Sequence, residues 1–75
     1  MTMLDFRFCV ALRHSGGLLD APVREETITA GSAAEAIEVA RRIHVDMIGL
    51  DANVIYVADA DGHVLWSLRL VDVWR

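Results

Sequence analysis

Ser32-Ala33-Ala34-Glu35-Ala36-Ile37-Glu38-Val39-Ala40-Arg41-Arg42 lies between two pairs of strand-like stretches. Ser32 suits a helix N-cap, and Glu35 three positions on completes a capping box, in which two otherwise unpaired amides at the helix start find side-chain acceptors. Ala33, Ala36, Ile37, Ala40, Ile43 and Met47 recur at helical spacing and form one apolar stripe. Glu35, Glu38, Arg41, Arg42 and Asp46 take much of the remaining surface. Glu38 and Arg42 are spaced for an i,i+4 ion pair. The alanines let the helix sit close to a sheet. Gly49 is the expected stop, because it fits the left-handed position past a last helical turn, with Leu50 packing on Val45.

Outward from the helix, the chain changes period. Leu4, Phe6, Phe8, Val10 and Leu12 alternate with Met3, Asp5, Arg7, Cys9 and Ala11, the pattern of a strand with one wholly apolar face. Arg13 to Pro22 reads as a loop, broken by Ser15-Gly16-Gly17 and by Pro22. Val23 to Thr29 is a weaker strand whose charges suit a sheet edge. After the helix, Asn53 to Asp59 and His63 to Leu70 form a hairpin around Asp59-Ala60-Asp61-Gly62. Two registers compete. A type I turn with a glycine bulge pairs Asp59 with His63 and aligns Val54, Tyr56 and Ala58 with Val64, Trp66 and Leu68. A two-residue Asp61-Gly62 turn instead sets Ile55 and Val57 beside Trp66 and Leu68. The bulge is preferred, since Asp59 suits the first turn position and Gly62 the left-handed one. The expected fold is therefore α+β: an antiparallel four-stranded sheet in ββαββ order, one helix packed on one face, in a single domain spanning residues 1–75.

At 75 residues the chain is near the lower limit for independent folding and buries only roughly 60% of its unfolded surface. Yet 55% of its residues are hydrophobic, more than so small a monomer readily hides. One helix covers one sheet face, and in the preferred register Ile55, Val57 and Leu65 lie on the other. Self-association is the simplest remedy. Val71-Asp72-Val73-Trp74-Arg75 continues the alternation, and Trp74 is expected to dock on a partner. The expected interface is thus Ile55, Val57, Leu65 and Trp74.

A net charge of −4 and a pI of about 5.1 argue against a nucleic-acid partner, which needs a basic footprint. They also provide no polybasic membrane signal. All seven basic residues are arginine, the mark of a GC-rich, bacterial genome. The lone Cys9 allows no internal disulfide. No secretory pattern is visible, and no apolar run approaches the ~20 residues that span a bilayer, so a cytoplasmic location is expected.

Chemistry-bearing residues do not converge. Cys9 and His14 are short of the four ligands zinc takes. Cys9 reads as a half-buried packing residue in a strand. His14, His44 and His63 are scattered over a loop, the helix and a turn. Asp59-Ala60-Asp61-Gly62 resembles the start of a calcium loop, but Leu70 stands at position twelve, where a glutamate is needed. Ser15-Gly16-Gly17 does not lead into a helix, as a phosphate cradle would. Glu25 and Glu26 are adjacent in a strand and point to opposite faces. Trp66 and Tyr56 read as core on the helix side. A non-enzymatic protein without cofactor or metal is expected.

The segment from Thr27 to Ile37, with the closing Val57-Ala58-Asp59-Ala60-Asp61-Gly62-His63-Val64-Leu65 hairpin, resembles a group of short uncharacterised proteobacterial proteins. They have an aromatic first strand and a Glu-Ala-rich helix. The resemblance implies a fold and no activity. The order of elements and the Ser/Thr-x-x-Glu-Ala helix start also resemble the HicB-type antitoxin domain. That likeness implies binding of a small toxin and, in some members, self-association. Asp20-Ala21-Pro22 stands where that family carries a Pro-Asp-Leu-Pro-Gly-like segment. The expected function is a homo-oligomeric protein-interaction module. The alternatives are a binder of an aromatic small molecule in a cleft between subunits, and an antitoxin-like partner of a toxin.

Overall fold

The computed structural model describes residues 2–14 and 16–69. Strands β1 (Leu4–Ala11) and β2 (Arg24–Ala30) precede helix α1 (Ala33–Arg42), and strands β3 (Val54–Ala58) and β4 (Val64–Arg69) follow it. They form one antiparallel sheet in the order β2-β1-β3-β4, with the helix on one face. The ββαββ order and the α+β class are those expected.

The alternation of β1 builds the core. Phe6 pairs with Ile28 on one side, while Phe8 and Val10 pair with Val57 and Ile55 on the other. Directly opposed residues share a face, so these side chains gather beneath Ala36 and Ala40. Phe8, Val10 and Val57 are fully buried. The helix leans most on β2. Ser32 caps it as expected, its Oγ accepting from the Glu35 amide at 3.2 Å. The Glu35 carboxylate turns back to accept from the Gly31 amide at 3.3 Å, one residue before the cap itself.

Three expectations about the helix need correction. It ends at Arg42, where Ile43 turns extended, instead of running to Gly49. Two β-branched residues, Ile43 and Val45, disfavour further helix, and the chain must cross the sheet to begin β3. Gly49 does not take the left-handed conformation, which falls on Asp51 instead (φ 53°). What Gly49 provides is room: its amide donates to Asp46 Oδ1 at 3.0 Å, and a β-carbon there would collide with that carboxylate. Glu38 meets Arg41, three residues on, and not Arg42. Ile43, Val45, Met47 and Leu50 still pack against the core as irregular chain.

The closing hairpin combines features of both registers. The Asp59 amide donates to the His63 carbonyl at 2.9 Å, the Gly62 amide donates to the Asp59 carbonyl at 3.1 Å, and Gly62 has φ +90°, as the preferred turn requires. Two residues later the ladder slips. Ala58 pairs with Val64 but Val57 pairs with Trp66, leaving Leu65 as an extra residue on β4. A one-residue slip reverses the facing of everything beyond it. Trp66 and Leu68 therefore join Val57 and Ile55 on the helix side, and Tyr56 goes to the open face with Ser67.

Ile55 and Val57 are consequently core residues, 9% and 0% exposed, and not the uncovered surface expected of them. Their facing is set by Val10 and Phe8 of β1, not by the turn. The expected Arg13–Pro22 loop carries ladder-like backbone bonds that its composition does not suggest. Arg13 bridges to Leu19, Asp20 donates to the Leu12 carbonyl at 3.0 Å and Val23 to that of Val10 at 2.8 Å, so the β1–β2 hairpin is prolonged toward its tip.

Candidate functional site

The open face divides in two. Its β2 side is polar: Arg7 pairs with Glu25, and Thr29 Oγ1 donates to Asp5 at 3.1 Å. Cys9 lies beside this ion pair, its Sγ 3.9 Å from Glu25 Oε2, with Tyr56 opposite on β3. Burial is the largest influence on both acidic side chains, pushing the Cys9 thiol and the Tyr56 phenol up from their ordinary ranges. At neutral pH the thiol stays protonated, which suits packing and not nucleophilic attack. His14 is engaged elsewhere, 3.1 Å from Asp20 on the hairpin extension.

The β4 side of the open face is a groove of 520 Å³. Val54 and Tyr56 contribute from β3, Val64, Ser67 and Arg69 from β4, and Arg13 and Leu19 from the hairpin extension. Asn53 sets the position of that extension. Its side-chain carbonyl accepts from the Arg13 amide at 2.6 Å and its amide donates to the Arg13 carbonyl at 2.7 Å. Its own backbone amide reaches the Ala11 carbonyl at 3.1 Å. Asn53 is buried yet fully employed, a role the sequence reading missed. An asparagine directly before an apolar strand was the available signal.

β4 is the outer strand on this side, and it is apolar. Val64 is 60% exposed, Leu68 51% and Leu65 38%. Of the residues expected at an interface, Leu65 is thus on the surface, Ile55 and Val57 are inside, and Trp74 lies outside the described residues. Val64 and Leu68 were not named for this role. The slip at Leu65 puts Val64 on the open face and Leu68 on the helix side, so both faces of the edge present apolar atoms.

At the start of β4, Asp59, Asp61 and His63 lie together. The turn accounts for their contacts. Asp59 Oδ1 accepts from the Asp61 and His63 amides at 3.0 and 2.9 Å, and Oδ2 lies 3.2 Å from His63 Nδ1. These bonds, chiefly the His63 amide, hold the Asp59 carboxyl below its ordinary range. His44 is exposed on the chain past the helix. No helix among the described residues is long and apolar enough to cross a membrane. Comparison of the chain with family models, with curated proteins and with solved structures finds no match.

Proposed function

We propose that this protein is a small, non-enzymatic, cytoplasmic interaction module that self-associates through the β4 side of its sheet. The supporting observation is the cluster of Val64, Leu65 and Leu68 on a strand whose far edge has no neighbour in the sheet among the described residues. An edge strand offers unpaired amides and carbonyls, and apolar side chains there favour pairing with another chain. The composition points the same way, because a second copy adds buried apolar area to a short chain. Leu65 and Trp74 remain proposed contacts, and Val64 and Leu68 replace Ile55 and Val57. Sedimentation equilibrium tests this: the protein sediments as a dimer or larger at tens of micromolar, and Leu65→Arg shifts it to monomer. A wild-type monomer at high micromolar concentration overturns the reading.

The groove favours a second reading, a binder of an anionic aromatic molecule. Tyr56 offers a ring and a phenol, Arg13 and Arg69 offer positive charge, and Val54 and Leu19 offer apolar walls. Titration with flavin mononucleotide, followed by its fluorescence, tests that reading. Saturable quenching that Tyr56→Ala abolishes supports it, and no quenching at millimolar protein rejects it.

A further inference from the structure

Resting on the self-association reading, we propose that the partner of β4 is β4 of a second copy, running antiparallel with Ser67 of each chain on the two-fold axis. Symmetry restricts the choice. A two-fold that makes two copies of one edge strand antiparallel must stand perpendicular to the sheet. Both helices then lie on the same side, and each residue opposes one of the same facing. Beyond the slip, Trp66 and Leu68 face the helix side, while Ser67 and Arg69 face the open side. Pairing Ser67 with its counterpart sets Trp66 against the partner's Leu68, and Leu68 against the partner's Trp66. Two apolar pairs thus form on the side where Leu68 is otherwise half uncovered. Centring on Trp66 instead runs Val64 against Leu68, which the slip has turned to opposite faces. Among the described residues, centring on Leu68 brings less of β4 into the pairing.

Charge selects the same direction. β4 begins at the Asp59–Gly62 turn with two carboxylates, Asp59 and Asp61, and ends at Arg69. Parallel pairing would set the two acidic turns side by side, a repulsion that antiparallel pairing avoids. From Val64 to Leu68 the strand carries no charge that would discourage pairing at its edge. The two open-face grooves, each lined by Val64, Ser67 and Arg69, then adjoin across the axis.

Disulfide trapping tests the register. Directly opposed residues of an antiparallel pair have Cα atoms about 4.5–5.5 Å apart, within disulfide reach. In a Cys9→Ala background, Ser67→Cys is expected to convert most of the protein to a reducible covalent dimer under mild oxidation. Thr27→Cys, exposed on β2, is expected to remain monomeric. Both substitutions are at exposed positions, and circular dichroism checks that the fold survives. If the wild type sediments as a dimer but Ser67→Cys cross-links no faster than Thr27→Cys, the register is wrong and the self-association reading stands. If the wild type is monomeric, both fall.

Discussion

The sheet has two outer strands built from opposite materials. β2 reads Arg-Glu-Glu-Thr-Ile-Thr-Ala and β4 reads Val-Leu-Trp-Ser-Leu-Arg. On β2 only Ile28 and Ala30 are buried, both beneath the helix, and the outward positions are charged or hydroxylated. Arg24 pairs with Glu26 and stacks over Phe8, while Glu25 reaches Arg7. Such a strand is unattractive to another chain, because pairing would strip water from its charges. On β4 no residue is fully buried, yet most are apolar. Among the described residues, one edge carries paired charges and the other carries exposed apolar side chains. Position in the sheet does not separate them; the difference is where the helix lies and which side chains face water.

The largest expected effect is on the core the two edges share. Phe8→Ala removes a fully buried ring under the helix and should cost about 3–5 kcal/mol, enough to unfold much of so small a domain. Urea denaturation measures it, and a loss under 1 kcal/mol would mean that β1 does not hold β2 and β3 together.

A smaller effect sharpens the contrast from the β2 side. Ser32→Ala deletes the cap of the helix that finishes β2 and should cost about 1 kcal/mol. Hydrogen exchange should then rise in α1 and β2 before β4. Equal loosening of both edges would show that the helix supports them alike.

The smallest effect concerns the β4 turn. The folded Asp59 carboxyl titrates below its ordinary value of 3.8, so its contribution is complete above that value. It is lost as the pH falls through the lower, folded value. Chemical shifts of the His63 amide should follow that titration, and Asp59→Asn should remove it. A midpoint at or above 3.8 contradicts the bonding described for the turn.

Much of this architecture was legible in the chain. The Ser32 cap, the alternation of β1 and the Asp59–Gly62 turn all express local chemistry, and each appears where expected. The facing of β3 was not legible, because Val54-Ile55-Tyr56-Val57-Ala58 is apolar on both sides and has no periodicity of its own. Phe8 and Val10 decide it from another strand. The slip at Leu65 was equally hidden, since no glycine or charge marks it. From these two gaps came the misplacement of Ile55, Val57 and Tyr56. Exposed apolar side chains cluster along β4 at Val64, Leu65 and Leu68 and stand more scattered at Met3, Leu18, Val23 and Ile48, while the reverse face is half charged and partly lined by the hairpin extension.

Amide hydrogen exchange of the full chain at two concentrations, a few micromolar and several hundred micromolar, tests the contrast between the edges most directly. The β4 amides from Val64 to Arg69 should gain protection at the higher concentration, with those of β2 from Arg24 to Ala30 unchanged. Protection independent of concentration, or gained on β2 and not on β4, would contradict the account.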